Sequence, residues 1–129
     1  MATVPPTPIS PGFGGFALDP GLGIMSWFQN GLTATASGTQ TNSGQLVALI
    51  NRVTTVTTGN DSLLLPSAIP GMRIVVINAA ASNTLKIWPQ LSTDVINALS
   101  PGAGYTIAAN KTAEFFCVVA GQWNTLLTA

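Results

Sequence analysis

Residues able to do chemistry are few in this chain, and their spacing argues against a reaction centre. There is no histidine, which removes the commonest general base and transition-metal ligand. The acids are Asp19, Asp61, Asp94 and Glu114, too widely separated for any two to be paired by local structure alone. The single cysteine, Cys117, lacks a histidine to take its proton and so lacks the partner that a thiol nucleophile needs. Gly12-Phe13-Gly14-Gly15 is rich in glycine but opens no helix, so it does not read as a phosphate loop. The aspartates do not have calcium-loop spacing. Asn60-Asp61-Ser62 and Asn110-Lys111-Thr112 fit the glycosylation triplet, which matters only in a secreted chain. Trp88, Tyr105 and Trp123 have ring faces that could stack on a sugar and form a surface binding platform, although aromatics in short strands ordinarily serve cores and interfaces. The sequence predicts no catalytic residue, no cofactor, no metal and no enzyme.

The elements that would carry these residues fall into two unlike parts. Residues 1–51 hold one charged side chain, Asp19, among many glycines, prolines and large apolar residues. Pro5, Pro6, Pro8, Pro11 and Pro20 remove backbone donors, and the interspersed glycines raise the entropic cost of order, so no regular element is expected before about residue 23. Flexible linkers are normally polar and charged. This stretch instead carries Val4, Ile9, Phe13, Phe16, Leu18 and Leu22, followed by Trp27 and Phe28. Residues 1–31 therefore read as an extended N-terminal arm whose apolar side chains lie against a partner. One or two helical turns are expected over residues 23–31, closed by Asn30-Gly31.

Residues 32–129 read as one β domain. A Thr/Ser/Ala/Gly stretch over 33–43 is expected to be an extended edge or linker, and 46–50 is too short to assign by periodicity. Strands are expected over 52–58, 62–65, 73–79, 84–88, 105–108, 112–120 and 122–127, separated by turns at Gly59-Asn60-Asp61, Pro70-Gly71, Pro101-Gly102 and Gly121. The continuous apolar run from Ile74 to Ile77 predicts a central strand buried on both faces. Alternation places Glu114 on one side of its strand with Phe116 and Val118, within reach of Arg73 or Lys86 across the sheet. Seven or eight short strands with regular turns predict a small antiparallel β-sandwich or barrel of jelly-roll type. Val76-Ile77-Asn78-Ala79 recurs as Val95-Ile96-Asn97-Ala98, but the flanks differ and the repeat reads as chance.

Bulk properties narrow the setting. The 129 residues support one domain, and only 6% are charged, against about a quarter in ordinary soluble domains. Four bases balance four acids, so steering toward nucleic acid is not expected. The mean hydropathy of +0.44 asks for a covered surface rather than a membrane span. The best apolar run, residues 74–81, contains Asn78 and is far short of the ~20 residues that a spanning helix needs. No basic stretch precedes an apolar run near Met1, so no secretory signal is predicted. Cys117 in its apolar setting fits synthesis in a reducing cytoplasm.

From Asn51 onward a set of segments comes in a recognisable order. Asn51-Arg52-Val53-Thr54-Thr55-Val56 is followed by Leu65-Pro66 and by Pro70-Gly71-Met72 before Val75-Val76-Ile77-Asn78. Leu85-Lys86-Ile87-Trp88-Pro89, Asp94-Val95-Ile96-Asn97-Ala98-Leu99, Thr112-Ala113-Glu114-Phe115-Phe116-Cys117-Val118 and Gly121-Gln122-Trp123 complete it. In this order residues 32–129 resemble small structural proteins of tailed-bacteriophage virions, in particular head decoration (cement) proteins. Similar β domains also resemble modules of phage fibres and tails. The first resemblance implies a non-enzymatic, all-β protein, often a homotrimer, that binds the major capsid protein on the capsid exterior and stabilises contacts between capsomers. The second leaves open a virion-surface module that recognises host glycan through Trp88, Tyr105 or Trp123.

Overall fold

A computed structural model describes residues 27–129, all of whose regular structure is β. The arm residues Val4, Ile9, Phe13, Phe16, Leu18 and Leu22 lie outside the described residues. Six strands come first: β1 (Phe28–Thr33), β2 (Gly44–Gln45), β3 (Ile50–Thr55), β4 (Asp61–Leu64), β5 (Arg73–Asn78) and β6 (Leu85–Trp88). They alternate between two sheets. β1, β3 and β5 are parallel neighbours in one sheet, and β2, β4 and β6 are parallel neighbours in the other. Each pass through both sheets is one rung of a short stack. Four further strands finish it: β7 (Val95–Ile96), β8 (Tyr105–Ile107), β9 (Lys111–Val119) and β10 (Gln122–Leu127). β9 runs antiparallel to β5, β10 antiparallel to β9, β7 parallel to β10, and β8 antiparallel to β6. The resulting orders are β1-β3-β5-β9-β10-β7 and β2-β4-β6-β8.

This order is that of a β-solenoid, and it corrects the expected antiparallel jelly-roll sandwich or barrel. Period-two patterning identifies a strand but is the same for parallel and antiparallel partners. Direction is set by the connections. Here a strand returns to its own sheet only after a visit to the other, so successive neighbours point the same way. The two-layer, all-β part of the expectation stands, as do most of the strand positions. The helical turns expected over 23–31 do not extend into the described residues, because β1 starts at Phe28. Gly31 does take the left-handed conformation, at φ 76°, but inside β1. The register with β3 shifts around it, as a strand bulge requires.

The core lies between the sheets. Val53, Ile74, Val76, Ala113, Phe115, Cys117 and Trp123 face inward from the six-stranded sheet, and Leu63, Leu85, Ile87 and Ile107 meet them from the other. Phe115 packs edge-on against Tyr105 and Trp123, with centroids 5.8 and 6.5 Å away. Asparagines tie the rung corners, where backbone groups leave the sheets. Buried Asn78 donates from Nδ2 to the carbonyls of Asn83 (3.0 Å) and Ile107 (2.9 Å), and its Oδ1 accepts from the Ala80 N–H. Asn83, itself left-handed at φ 78°, donates to the carbonyls of Val56 and Thr57 in the preceding rung. The two Val-Ile-Asn-Ala segments have opposite burial phases, Val76 inward but Ile96 inward in the second copy, so they are not equivalent rungs.

Candidate docking face

The run expected to be buried on both faces is buried on one. In β5, Ile74, Val76 and Asn78 point into the core, while Arg73, Val75 and Ile77 stand on the outer face and remain partly or wholly exposed. The cross-strand register extends this face into a row. Phe28 pairs with Ile50, Ile50 with Val75, Val75 with Glu114, and Glu114 with Leu126. Directly paired residues share a face. Five adjacent strands thus present Phe28, Ile50, Val75, Glu114 and Leu126 side by side, with Phe28 71% and Leu126 64% exposed. Beside this row Arg73 pairs with Phe116, and Val118 further along β9 is 74% exposed.

The only ion pair among the described residues sits within this apolar surface. Arg73 donates to Glu114, one of the two partnerships expected from alternation, and its guanidinium lies 5.7 Å from the Phe116 ring centroid. An exposed pair of this kind contributes about 0–1 kcal/mol, so its main effect is to neutralise two charges inside the face. Little else on the face has chemical capacity. Val75, Glu114, Leu126 and Leu127 help line a shallow depression of about 310 Å³ that holds no second ionisable group.

A separate groove of about 320 Å³ runs along the corners that precede β1, β3 and β5, lined by Trp27, Leu46, Val47, Ala48, Leu49, Pro66, Gly71, Met72, Arg73 and Ile74. Trp27 and Val47 also border a smaller hollow of about 240 Å³ next to it. Trp27 is 58% and Val47 60% exposed. Trp27 and Phe28, expected to face a partner, thus have open ring faces.

The three residues expected to form a sugar platform are not brought together. Trp123 is fully buried against Phe115, which corrects its assignment to a surface site. Tyr105 pairs in register with inward-facing Ile87 and packs on the core. Trp88, next in sequence to Ile87, takes the opposite face of the sheet, where the Lys86 ammonium lies 4.9 Å from its ring centroid. Alternation signals could have placed Trp123, since it is flanked by polar Gln122 and Asn124 in a strand whose other residues must supply a core face.

The remaining ionisable groups have structural settings. Asp61 accepts from the backbone N–H of Thr58 at 2.9 Å and of Ser37 at 3.1 Å. The Thr58 hydrogen bond is the largest influence holding its carboxyl below the ordinary 3.8, and burial opposes it. Burial pushes the Cys117 thiol up, and its Sγ donates to the Val119 carbonyl. No cluster of three or more His, Cys, Asp or Glu side chains occurs among the described residues.

No protein-family model matches this chain, and neither a curated protein nor a solved structure does. The outward, exposed or half-exposed placement of Ile50, Val75, Val47 and Leu126 was not read from the sequence. Their signal was present: each is an apolar residue on the off-phase of a strand or in the loop beside one.

Proposed function

We propose that this protein is a non-enzymatic structural component of a phage particle, a head decoration protein that binds the outside of the shell and stabilises contacts between capsomers. One observation carries the reading: the row Phe28, Ile50, Val75, Glu114 and Leu126, apolar except for the Arg73-paired Glu114, crosses the sheet uncovered among the described residues. Parallel sheets are normally covered on both faces, and their strands read as continuous apolar runs for that reason. β5 has such a run, but among the described residues its outer face has no second cover. Covering it with a neighbouring protein completes the pattern.

Magnitudes favour attachment through several copies. Full burial of a Phe, Leu or Val side chain gives about 1.5–3 kcal/mol, so the exposed fractions of Phe28, Val118 and Leu126 offer ~1–2 kcal/mol each. Association alone costs about 4–15 kcal/mol. One face therefore holds weakly. A homotrimer multiplies its contacts without new chemistry, because the second and third engagements are intramolecular. The major capsid protein is the partner implied, with the capsid exterior as the location and the host cytoplasm as the place of synthesis. Of the expected arm, residues 28–31 belong to β1, and the residues before them add their own apolar contacts.

The test is co-sedimentation of the purified protein with undecorated heads, comparing wild type with Val75→Lys. The wild type saturates the heads, and the variant, folded by circular dichroism, remains in the supernatant. Equal binding of both would overturn the role of the face.

A further inference from the structure

We infer that the groove beside Trp27 receives the leading segment, residues 1–26, of a second copy of this chain. The inference rests on the docking reading above and names a partner within it. Solenoid rungs bury their apolar surface against the next rung, and a terminal rung needs a cap. At one end of this stack β7 and β8, two and three residues long, close the sheets behind β10 and β6. At the other end β1 is an edge strand among the described residues, and it carries neither charge nor proline. Such an edge is ordinarily protected. The groove starts beside that strand, at Trp27, and runs along the corners that lead into β3 and β5, with Leu46, Val47, Ala48, Pro66 and Met72 on its walls. Its one charged wall residue, Arg73, is already paired with Glu114.

Residues 1–26 lead directly into Trp27 on the groove wall and match the groove in chemistry: they contain one charge, Asp19, and the apolar residues Val4, Ile9, Phe13, Phe16, Leu18 and Leu22. A further rung of the same chain is the alternative cover, and length alone permits it, since paired residues recur 22 positions apart from Phe28 to Ile50 and 25 from Ile50 to Val75. Five prolines argue against that rung, because proline cannot donate to a ladder. A proline-punctuated segment favours extension at about 3.1 Å per residue, which carries 26 residues to about 80 Å. The domain behind it, with a radius of gyration of about 13 Å, is only ~35 Å across. At that length the segment has enough chain to span from Trp27 of one copy to the groove of the next.

The experiment is complementation between two full-length variants, read by sedimentation velocity, with Trp27 emission taken as the difference between each protein and its Trp27→Phe counterpart, since Trp88 and Trp123 also emit. Val47→Glu blocks the groove, and Phe13→Ser with Phe16→Ser disables the segment; urea unfolding checks that each variant is folded. The wild type is expected to show a concentration-dependent oligomer with blue-shifted Trp27 emission, each variant alone to lose both, and an equimolar mixture to regain a complex. A monomeric wild type, or an oligomer unchanged by both variants, overturns the exchange. A Trp27 shift without a change in mass assigns the groove to the same chain and also overturns it. Heads separate this failure from that of the docking reading: a monomer that still saturates them loses only the exchange.

Discussion

Removing the Asn78 side chain should destabilise the fold far more than its size suggests. Asn78 lies at the end of β5, fully buried, and ties the six-stranded sheet to β8 of the other sheet through the Ile107 carbonyl. Asn78→Ala removes two donated hydrogen bonds, to Asn83 and Ile107, and leaves the buried Ala80 N–H without its acceptor. At about 0.5–1.5 kcal/mol for each bond and ~1–3 kcal/mol for the orphaned donor, the expected loss is about 2–6 kcal/mol. A loss of ~3 kcal/mol lowers Tm by about 12–24 °C in a domain of this size. Urea unfolding followed by fluorescence of buried Trp123 measures it, with Asn124→Ala on exposed β10 surface as the control. Asn78→Asp adds a signature that packing alone cannot give. Its carboxylate would face two carbonyls, so its folded pKa rises above the unfolded value of about 3.9. Relative to wild type, that variant is least destabilised at low pH, and the deficit grows as pH rises through its folded pKa. A loss below ~1 kcal/mol in Asn78→Ala, or no such pH dependence in Asn78→Asp, would refute the role given to this corner.

Three further outcomes follow from the geometry. Asp61 has a lowered folded pKa, so its stabilisation is complete above the unfolded value near 3.8 and is lost as pH falls through the folded one. Asp61→Asn should therefore lower the urea midpoint at pH 7 and flatten its decline below pH 4; parallel curves for the two proteins would contradict this. Gly121→Ala places a side chain at φ 77° in the β9–β10 turn, beside Asp94, and should cost about 1–2 kcal/mol in urea unfolding. Cys117, 2% exposed, should react with iodoacetamide only through opening of the fold, at a rate that rises steeply with urea, whereas fast labelling of the native protein would show that its strand is misplaced.

Much of the strand content was legible because its punctuation is explicit. Pro89 ends β6, Asn60 and Asn110 take left-handed turn positions at φ 71° and 62°, and Gly121 makes the last hairpin. The Arg73–Glu114 pair followed from alternation on β9 with a neighbouring strand. The parallel stacking was not legible, because side-chain alternation has no direction and the rungs share no sequence motif. Their spacing also varies, with partners 19 residues apart from Gly44 to Leu63 but 24 from Asp61 to Leu85. The corner asparagines were hidden for a related reason. Asn51 and Asn78 read as polar interruptions of apolar runs, and only the turn of the chain shows that their amides serve carbonyls of adjoining segments. The outer face was half legible: the apolar run of β5 called for two covers, and the described residues supply one.

Oxidative footprinting of the free and the head-bound protein, read residue by residue by mass spectrometry, tests the central claim most directly. The account predicts that Phe28, Phe116 and Leu126 become protected on the particle while Leu91 and Leu99, exposed on either side of β7 at the far edge of the sheet, keep their reactivity. Equal oxidation of the outer row in both states would contradict it.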